Sequence, residues 1–132
     1  MDQISAKDGY KRIVFNGQRH YGRHVMVDAT LCNDRLLELD DINAFVAELV
    51  KRIDMVAYGD IVSARFGGGI ETGISAVQLI ETSAISLHTN DEARDLYLDV
   101  FSCKDFQAGT VVDVVTEYFA PESMNVRDLL RR

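Results

Sequence analysis

Three short extended segments in close succession, residues 74–80, 84–89 and 95–103, place the strongest constraint on the fold of this chain. The second alternates strictly, with Ile85 and Leu87 on one face and with polar side chains on the other. The residues NDEAR separate it from the third, which alternates in the same way. Runs of this kind, joined by short connections, are typical of neighbouring antiparallel strands, so the middle of the chain is predicted to form an antiparallel sheet.

Two helices are predicted to accompany this sheet. Over residues 40–55 the apolar side chains recur at helical spacing, and Asp40 or Asp41 provides an N-cap. The second helix is predicted over residues 105–120, where Pro121, the only proline of the chain, would end it. Further strands are predicted over residues 23–31 and 56–66, a flexible glycine-rich turn over 67–73, and an edge strand or a short helix over MNVRDLL near the C-terminus.

The fold class that follows is α+β: a two-layer sandwich in which two main helices cover one face of an antiparallel sheet. A length of 132 residues is enough for one core, so residues 1–132 are predicted to form a single domain. Residues 1–21 are polar and are predicted to be a loose N-terminal arm.

Composition excludes several classes of function. A net charge of −7 disfavours a nucleic-acid partner, and no apolar run is long enough to predict a membrane span. The first residues lack the apolar core of a signal peptide, so a cytoplasmic location is expected. Cys32 and Cys103 lie outside any zinc-site pattern and are predicted to be free thiols, and no metal is expected.

One segment, LIETSAISLHTNDE, combines strand-forming residues with an unusual number of hydroxyl-bearing and titratable side chains. Its four hydroxyl-bearing residues surround a single histidine, His88; they are Thr82, Ser83, Ser86 and Thr89. Five residues along a strand place Ser83 and His88 on opposite faces, so a simple serine–histidine pair within one strand is not expected. The chain is instead predicted to turn or break at residues 82–83.

The segments GISAVQLIETSAISLHTNDE and LYLDVFSC together resemble the bacterial and archaeal S-adenosylmethionine decarboxylase family. Its members have a G-V-S/T-G segment, then E-S-H-I-S-I-H-T-W-P-E, then D-x-F-T-C. The resemblance implies that Ser83 is the precursor of a pyruvoyl group, that Ser75 and His88 assist its formation, that Cys103 is the proton donor, and that Glu92 holds the substrate ribose.

The resemblance also implies a reaction sequence. Ser83 would attack the carbonyl of Thr82, and the resulting ester would eliminate with the help of His88, which cleaves the chain between residues 82 and 83. The pyruvoyl group would then form a Schiff base with the amine of a small-molecule substrate and act as the electron sink for decarboxylation. By resemblance, the substrate is S-adenosylmethionine, the product serves spermidine biosynthesis, and the protein is a homodimer.

Four differences from the family pattern leave alternatives open. Thr82 replaces a glutamate, Ala84 a histidine and Gly69 a phenylalanine, and Asn90-Asp91 stands where the family has W-P. The first alternative is a pyruvoyl-dependent decarboxylase of a basic amino acid, arginine or ornithine. The second is an uncleaved, non-catalytic relative that binds a nucleoside or a partner chain.

Overall fold

The computed structural model describes residues 8–132 of the chain. Within that part lie eight strands and two α-helices, together with short 3-10 turns at Asp34–Leu37 and Gly69–Glu71. In chain order these are β1 (Ile13–Phe15), β2 (Gln18–His20), β3 (Gly22–Thr30), α1 (Leu39–Arg52), β4 (Val62–Phe66), β5 (Gly73–Ile80), β6 (Ser83–Asn90), β7 (Asp95–Ser102), α2 (Ala108–Phe119) and β8 (Ser123–Arg131). No helix of this part is long and apolar enough to cross a membrane.

Strands β3 to β8 form one six-stranded sheet in the order β4-β5-β6-β7-β3-β8, in which every neighbouring pair is antiparallel. Helices α1 and α2 share one hydrophobic core with the alternate inward-facing residues of the strands. The two helices meet at Phe45 and Phe119, both fully buried, whose ring centroids lie 4.9 Å apart. The predicted α+β sandwich is therefore confirmed, and the C-terminal segment is an edge strand.

The face of the sheet opposite the helices, here called the open face, has a different character. It presents apolar side chains to solvent beside polar ones: Val77 is 44% exposed, Leu79 53% and Tyr97 46%. Register places Ser75, Ala84, Ser86, His88, Asp99 and Phe101 on the same face. Within residues 8–132, the helices thus cover one face of the sheet, and Val77, Leu79, Tyr97 and His88 of the other face are exposed to solvent.

The N-terminal segment is more ordered than its polar composition predicts. Residues 13–20 form a β1–β2 hairpin rather than a loose arm, and Ile13 is buried. Its turn is Asn16-Gly17, with φ of 51° and 75°, the pair of left-handed residues that a two-residue hairpin turn requires. Residues 1–7 of the predicted arm lie outside the described residues.

Two other segments also differ from expectation. The strand predicted over 56–66 begins only at Val62, because Gly59 adopts positive φ and interrupts the extended chain. Before Val62, Ala57 contributes an isolated bridge to Ile80. The glycine-rich segment turns as predicted, and at its end a Cβ on Gly73 would lie 1.8 Å from the carbonyl oxygen of Thr89, so a side chain is excluded there.

Candidate active site

The β5–β6 hairpin organises the residues singled out by the sequence. Ile80 pairs with Ser83, so the chain reverses through Glu81 and Thr82. Ser83 is consequently the first residue of β6 and follows the turn directly. The chain thus turns at residues 81–82, one residue before the predicted position, and Ser83 and His88 remain on the same strand.

Thr82, Ser83 and Cys103 meet at this end of the sheet. Ser83 lies opposite Ser102 in the β6–β7 ladder, and the next residue, Cys103, donates its backbone N–H to the carbonyl oxygen of Thr82 at 3.1 Å. That carbonyl is the one that an attack by Ser83 would convert into an oxyanion. A fixed N–H donor at such an oxygen stabilises the charge that develops on it.

Ser75 and His88 form a second cluster, on the open face. They are cross-strand partners, and Ser75 Oγ lies 2.7 Å from His88 Nδ1. His88 is exposed on the side of the sheet away from the helices. A hydroxyl hydrogen-bonded to an imidazole is an arrangement that can accept and relay a proton.

These two clusters lie apart within one chain. His88 is five residues along β6 from Ser83, which corresponds to roughly 16 Å between Cα atoms at the rise of a strand. Glu92 lies beyond the far end of β6, where it lines an open cavity of about 450 Å³ together with Ile70, Asn90 and Tyr97. One chain therefore brings Ser75 to His88 and Cys103 to Thr82, but it does not bring His88 or Glu92 to Ser83.

A comparison with protein families identifies the fold. The family model described as S-adenosylmethionine decarboxylase matches residues 23–132, most of the chain. The chain belongs to the S-adenosylmethionine decarboxylase family. The predicted family is thus confirmed, and with it the predicted enzyme class, an adenosylmethionine decarboxylase-like carboxy-lyase.

Individual relatives within and near the S-adenosylmethionine decarboxylase family carry two names. An S-adenosylmethionine decarboxylase proenzyme of Clostridium botulinum strain Langeland is 25% identical over 114 residues, 86% of this chain and 96% of that protein. An arginine decarboxylase proenzyme of Caldivirga maquilingensis is 34% identical over 85 residues, 62% of this chain and 61% of that protein. The crystal structure of the adenosylmethionine decarboxylase from Aquifex aeolicus VF5 shares the fold, with a TM-score of 0.75 at 22% identity over 86% of this chain and 92% of that one.

Two residues near the β5–β6 turn were not singled out by the sequence. Ser102 is fully buried, and its Oγ lies 2.7 Å from Thr82 Oγ1. Its position one residue before Cys103 was visible in the sequence, but the β6–β7 register that places it opposite Ser83 was not. Arg12, whose guanidinium donates to Cys103 Sγ at 3.2 Å, gave no signal, since it lies in the predicted arm and outside the residues that match the S-adenosylmethionine decarboxylase family.

Local electrostatics separate the two thiols. Burial, reinforced by the charge of Asp95, raises the pKa of Cys32 to about 11, so this thiol stays protonated at neutral pH. Cys103 is partly exposed and contacts Thr82 of the β5–β6 turn through its backbone. Within residues 8–132, no three or more His, Cys, Asp or Glu side chains are grouped as metal ligands.

Proposed function

We propose that this chain is a pyruvoyl-dependent decarboxylase proenzyme that cleaves itself between Thr82 and Ser83. The observation that carries the proposal is the hydrogen bond from the Cys103 N–H to the carbonyl oxygen of Thr82, placed at a tight turn directly before Ser83. The donor lies where negative charge would develop, and the attacking hydroxyl belongs to the next residue. A pyruvoyl group formed from Ser83 would lie at the start of β6, directly after this turn.

The first step is an acyl shift. Ser83 Oγ attacks the carbonyl carbon of Thr82, and the oxygen of that carbonyl gains negative charge opposite the Cys103 N–H. When the C–N bond breaks, the nitrogen of Ser83 takes up the hydroxyl proton and an ester replaces the amide. Only the carbonyl of residue 82 takes part, so a threonine side chain there is compatible with the step.

The second step needs a base, and the predicted one, His88, does not reach Ser83 within one chain. Removal of the proton on Cα of Ser83 expels the carboxylate of Thr82, and hydrolysis of the resulting dehydroalanine, with loss of ammonia, gives the pyruvoyl group. Because His88 of the same chain is roughly 16 Å away along β6, we infer that His88, assisted by Ser75, acts on a second copy of the chain. The proposed active form is therefore a homodimer.

The open face supports this dimer. Its exposed apolar side chains, Val77, Leu79 and Tyr97 among them, give a second copy something to bury, and Ser75 and His88 lie on the same face. Ser83 has the parity of the face that the helices cover, so a two-fold axis would have to bring the Ser75–His88 pair of one subunit to the β5–β6 turn of the other, which would complete two sites at once.

Cys103 has the second proposed role, in turnover. The pyruvoyl group would supply an electron-withdrawing carbonyl that binds the substrate amine and accepts the electrons released as carbon dioxide leaves. The backbone of Cys103 is hydrogen-bonded to Thr82, so its thiol lies close to Ser83. We propose this thiol as the proton donor for the carbon that loses the carboxylate. Arg12 contacts the same sulfur and would stabilise the thiolate that proton donation leaves behind.

The proposed substrate is S-adenosylmethionine, with a role in spermidine biosynthesis. Its sulfonium charge is compatible with a net charge of −7, and Glu92 is proposed to accept hydrogen bonds from the ribose hydroxyls. A basic amino acid is the second candidate substrate, since one relative is named an arginine decarboxylase proenzyme and is 34% identical to this chain. Release of labelled carbon dioxide from carboxyl-labelled S-adenosylmethionine, arginine and ornithine, supplied separately, decides between them.

Intact mass of the purified protein tests the self-cleavage. We expect two products, residues 1–82 and 83–132, with a ketone at the start of the second that reacts with a hydrazine. Ser83→Ala should remain a single uncut chain because no hydroxyl is left to attack, whereas Cys103→Ala should still be cleaved but should turn over slowly. A single wild-type species of 14.8 kDa would overturn the proposal in favour of an uncleaved, non-catalytic relative.

A further inference from the structure

Ser102 is a polar side chain in an unusual position. It is 0% exposed and lies directly opposite Ser83 in the β6–β7 ladder. A hydroxyl that is removed from water costs free energy unless it is hydrogen-bonded, so its partners indicate what it does there. Ser102 Oγ lies 2.7 Å from Thr82 Oγ1, and it accepts a hydrogen bond of 3.0 Å from the backbone N–H of Lys104.

The two hydroxyls and their two protons are fully accounted for. Met55 Sδ lies 3.4 Å from Thr82 Oγ1 and 3.5 Å from Ser102 Oγ. Each hydroxyl has one proton, so one of them donates to the other hydroxyl while the second donates to the sulfur. Both hydroxyls are hydrogen-bonded in either arrangement, and Thr82 is held through its side chain as well as through its backbone.

Residues 102–104 consequently hold Thr82 at two points. Ser102 binds its side chain, and the Cys103 N–H binds its carbonyl oxygen. The bond from the Lys104 N–H to Ser102 Oγ closes the same short segment on itself, which fixes the direction of the Cys103 N–H between them.

We propose that Ser102 is a positioning residue for the acyl shift. It holds residue 82 so that the carbonyl carbon stays in reach of Ser83 Oγ while the carbonyl oxygen stays on the Cys103 N–H. Ser102 touches neither reacting atom and acts through Thr82 and through the turn at residues 102–104. The inference rests on the proposed self-cleavage and assigns one step of it to a hydroxyl pair.

The test follows the cleavage of freshly translated precursor with time by intact mass, with and without hydroxylamine, which cuts the ester at residue 82 but leaves the amide intact. We expect Ser102→Ala to slow cleavage about tenfold, the effect of losing a hydrogen bond worth somewhat over 1 kcal/mol. Hydroxylamine should release no extra fragment from this variant, because the slowed step precedes the ester. Thr82→Val should have the same defect, the double variant should be no slower than either single one, and Ser102→Thr should restore cleavage.

Ser63→Ala is the matched control. Ser63 lies in strand β4, and its hydroxyl donates to Asn43 Oδ1 of helix α1 at 2.7 Å. The variant therefore also removes a side-chain hydrogen bond, but one far from the β5–β6 turn. It should lower the Tm without slowing cleavage. If Ser102→Ala does not fold, Thr82→Val and Ser102→Thr still decide the question.

The outcomes separate the inference from the proposed function. An uncut wild-type chain overturns both. A wild-type chain that cleaves while Ser102→Ala and Thr82→Val cleave equally fast overturns the positioning role alone. Accumulation of a hydroxylamine-sensitive ester in Ser102→Ala also overturns it, since the slow step would then be the elimination.

Discussion

Cleavage of one chain by the histidine of another can be tested with two inactive variants. His88→Ala keeps the serine that attacks but lacks the proposed base, whereas Ser83→Ala keeps the base but cannot be cut. The distance decides the expectation: roughly 16 Å along β6 separates the two residues, well beyond the reach of an imidazole side chain. Each variant expressed alone should remain a single chain, because one lacks the base in both subunits and the other lacks the attacking hydroxyl in both.

Co-expression in equal amounts should restore cleavage to one of the two chains. Random pairing places about half of the His88→Ala chains opposite a Ser83→Ala chain, which supplies His88 in trans. Up to about half of the His88→Ala chains should then appear as residues 1–82 and 83–132, and the Ser83→Ala chains should stay intact. The two chains differ in mass, so mass spectrometry reports each of them separately.

The control replaces the helper chain with the double variant Ser83→Ala/His88→Ala, which pairs in the same way but provides no histidine. No fragment should form in that mixture. If the first mixture also stays uncut, processing in trans is wrong. If His88→Ala cleaves on its own at the wild-type rate, His88 has no part in processing.

Three further predictions concern stability and the thiols. Gly73→Ala should destabilise the fold by about 3 kcal/mol or more, because its Cβ would meet the backbone of β6, whereas Gly68→Ala, which faces open space, should change stability by less than about 0.5 kcal/mol; urea unfolding measures both. Iodoacetamide at about pH 8 should modify one thiol of the folded chain and two in denaturant, because Cys32 is buried and its pKa is raised to about 11; modification of both in the folded state would contradict this. Hydrogen bonding to Arg52 lowers the pKa of Glu117 below its ordinary value of 4.5. The contribution of this pair to stability should therefore be present above that pH and be lost as the pH falls below it. The difference in urea midpoint between wild type and Glu117→Gln should accordingly shrink from about pH 7 to about pH 3.

Periodicity predicted the central elements because burial on one face determines them. The helix predicted over residues 40–55 spans Leu39–Arg52, and the strand predicted over 84–89 spans Ser83–Asn90. Periodicity does not predict where a strand begins when backbone conformation decides it, as at Val62.

The site divides along the same line. The residue types at the β5–β6 turn were visible in the sequence, but the contact of Ser75 with His88 depends on register. A two-residue turn at 81–82 sets that register, since residues equally distant from the turn then pair. The approach of Arg12 to Cys103 depends on how a separate hairpin docks, which no local pattern encodes.

The order of strands in the sheet determines what a cut between residues 82 and 83 would do to the whole molecule. Strands β3, β4 and β5 would belong to one piece and β6, β7 and β8 to the other, yet β3 lies between β7 and β8. Three of the five seams in the sheet, β5–β6, β7–β3 and β3–β8, would then join the two pieces. Strands of the two pieces alternate in the sheet, so separating the pieces would mean unfolding the sheet. Self-cleavage there would therefore break a covalent bond without disrupting the architecture, and the two products would remain a single folded body.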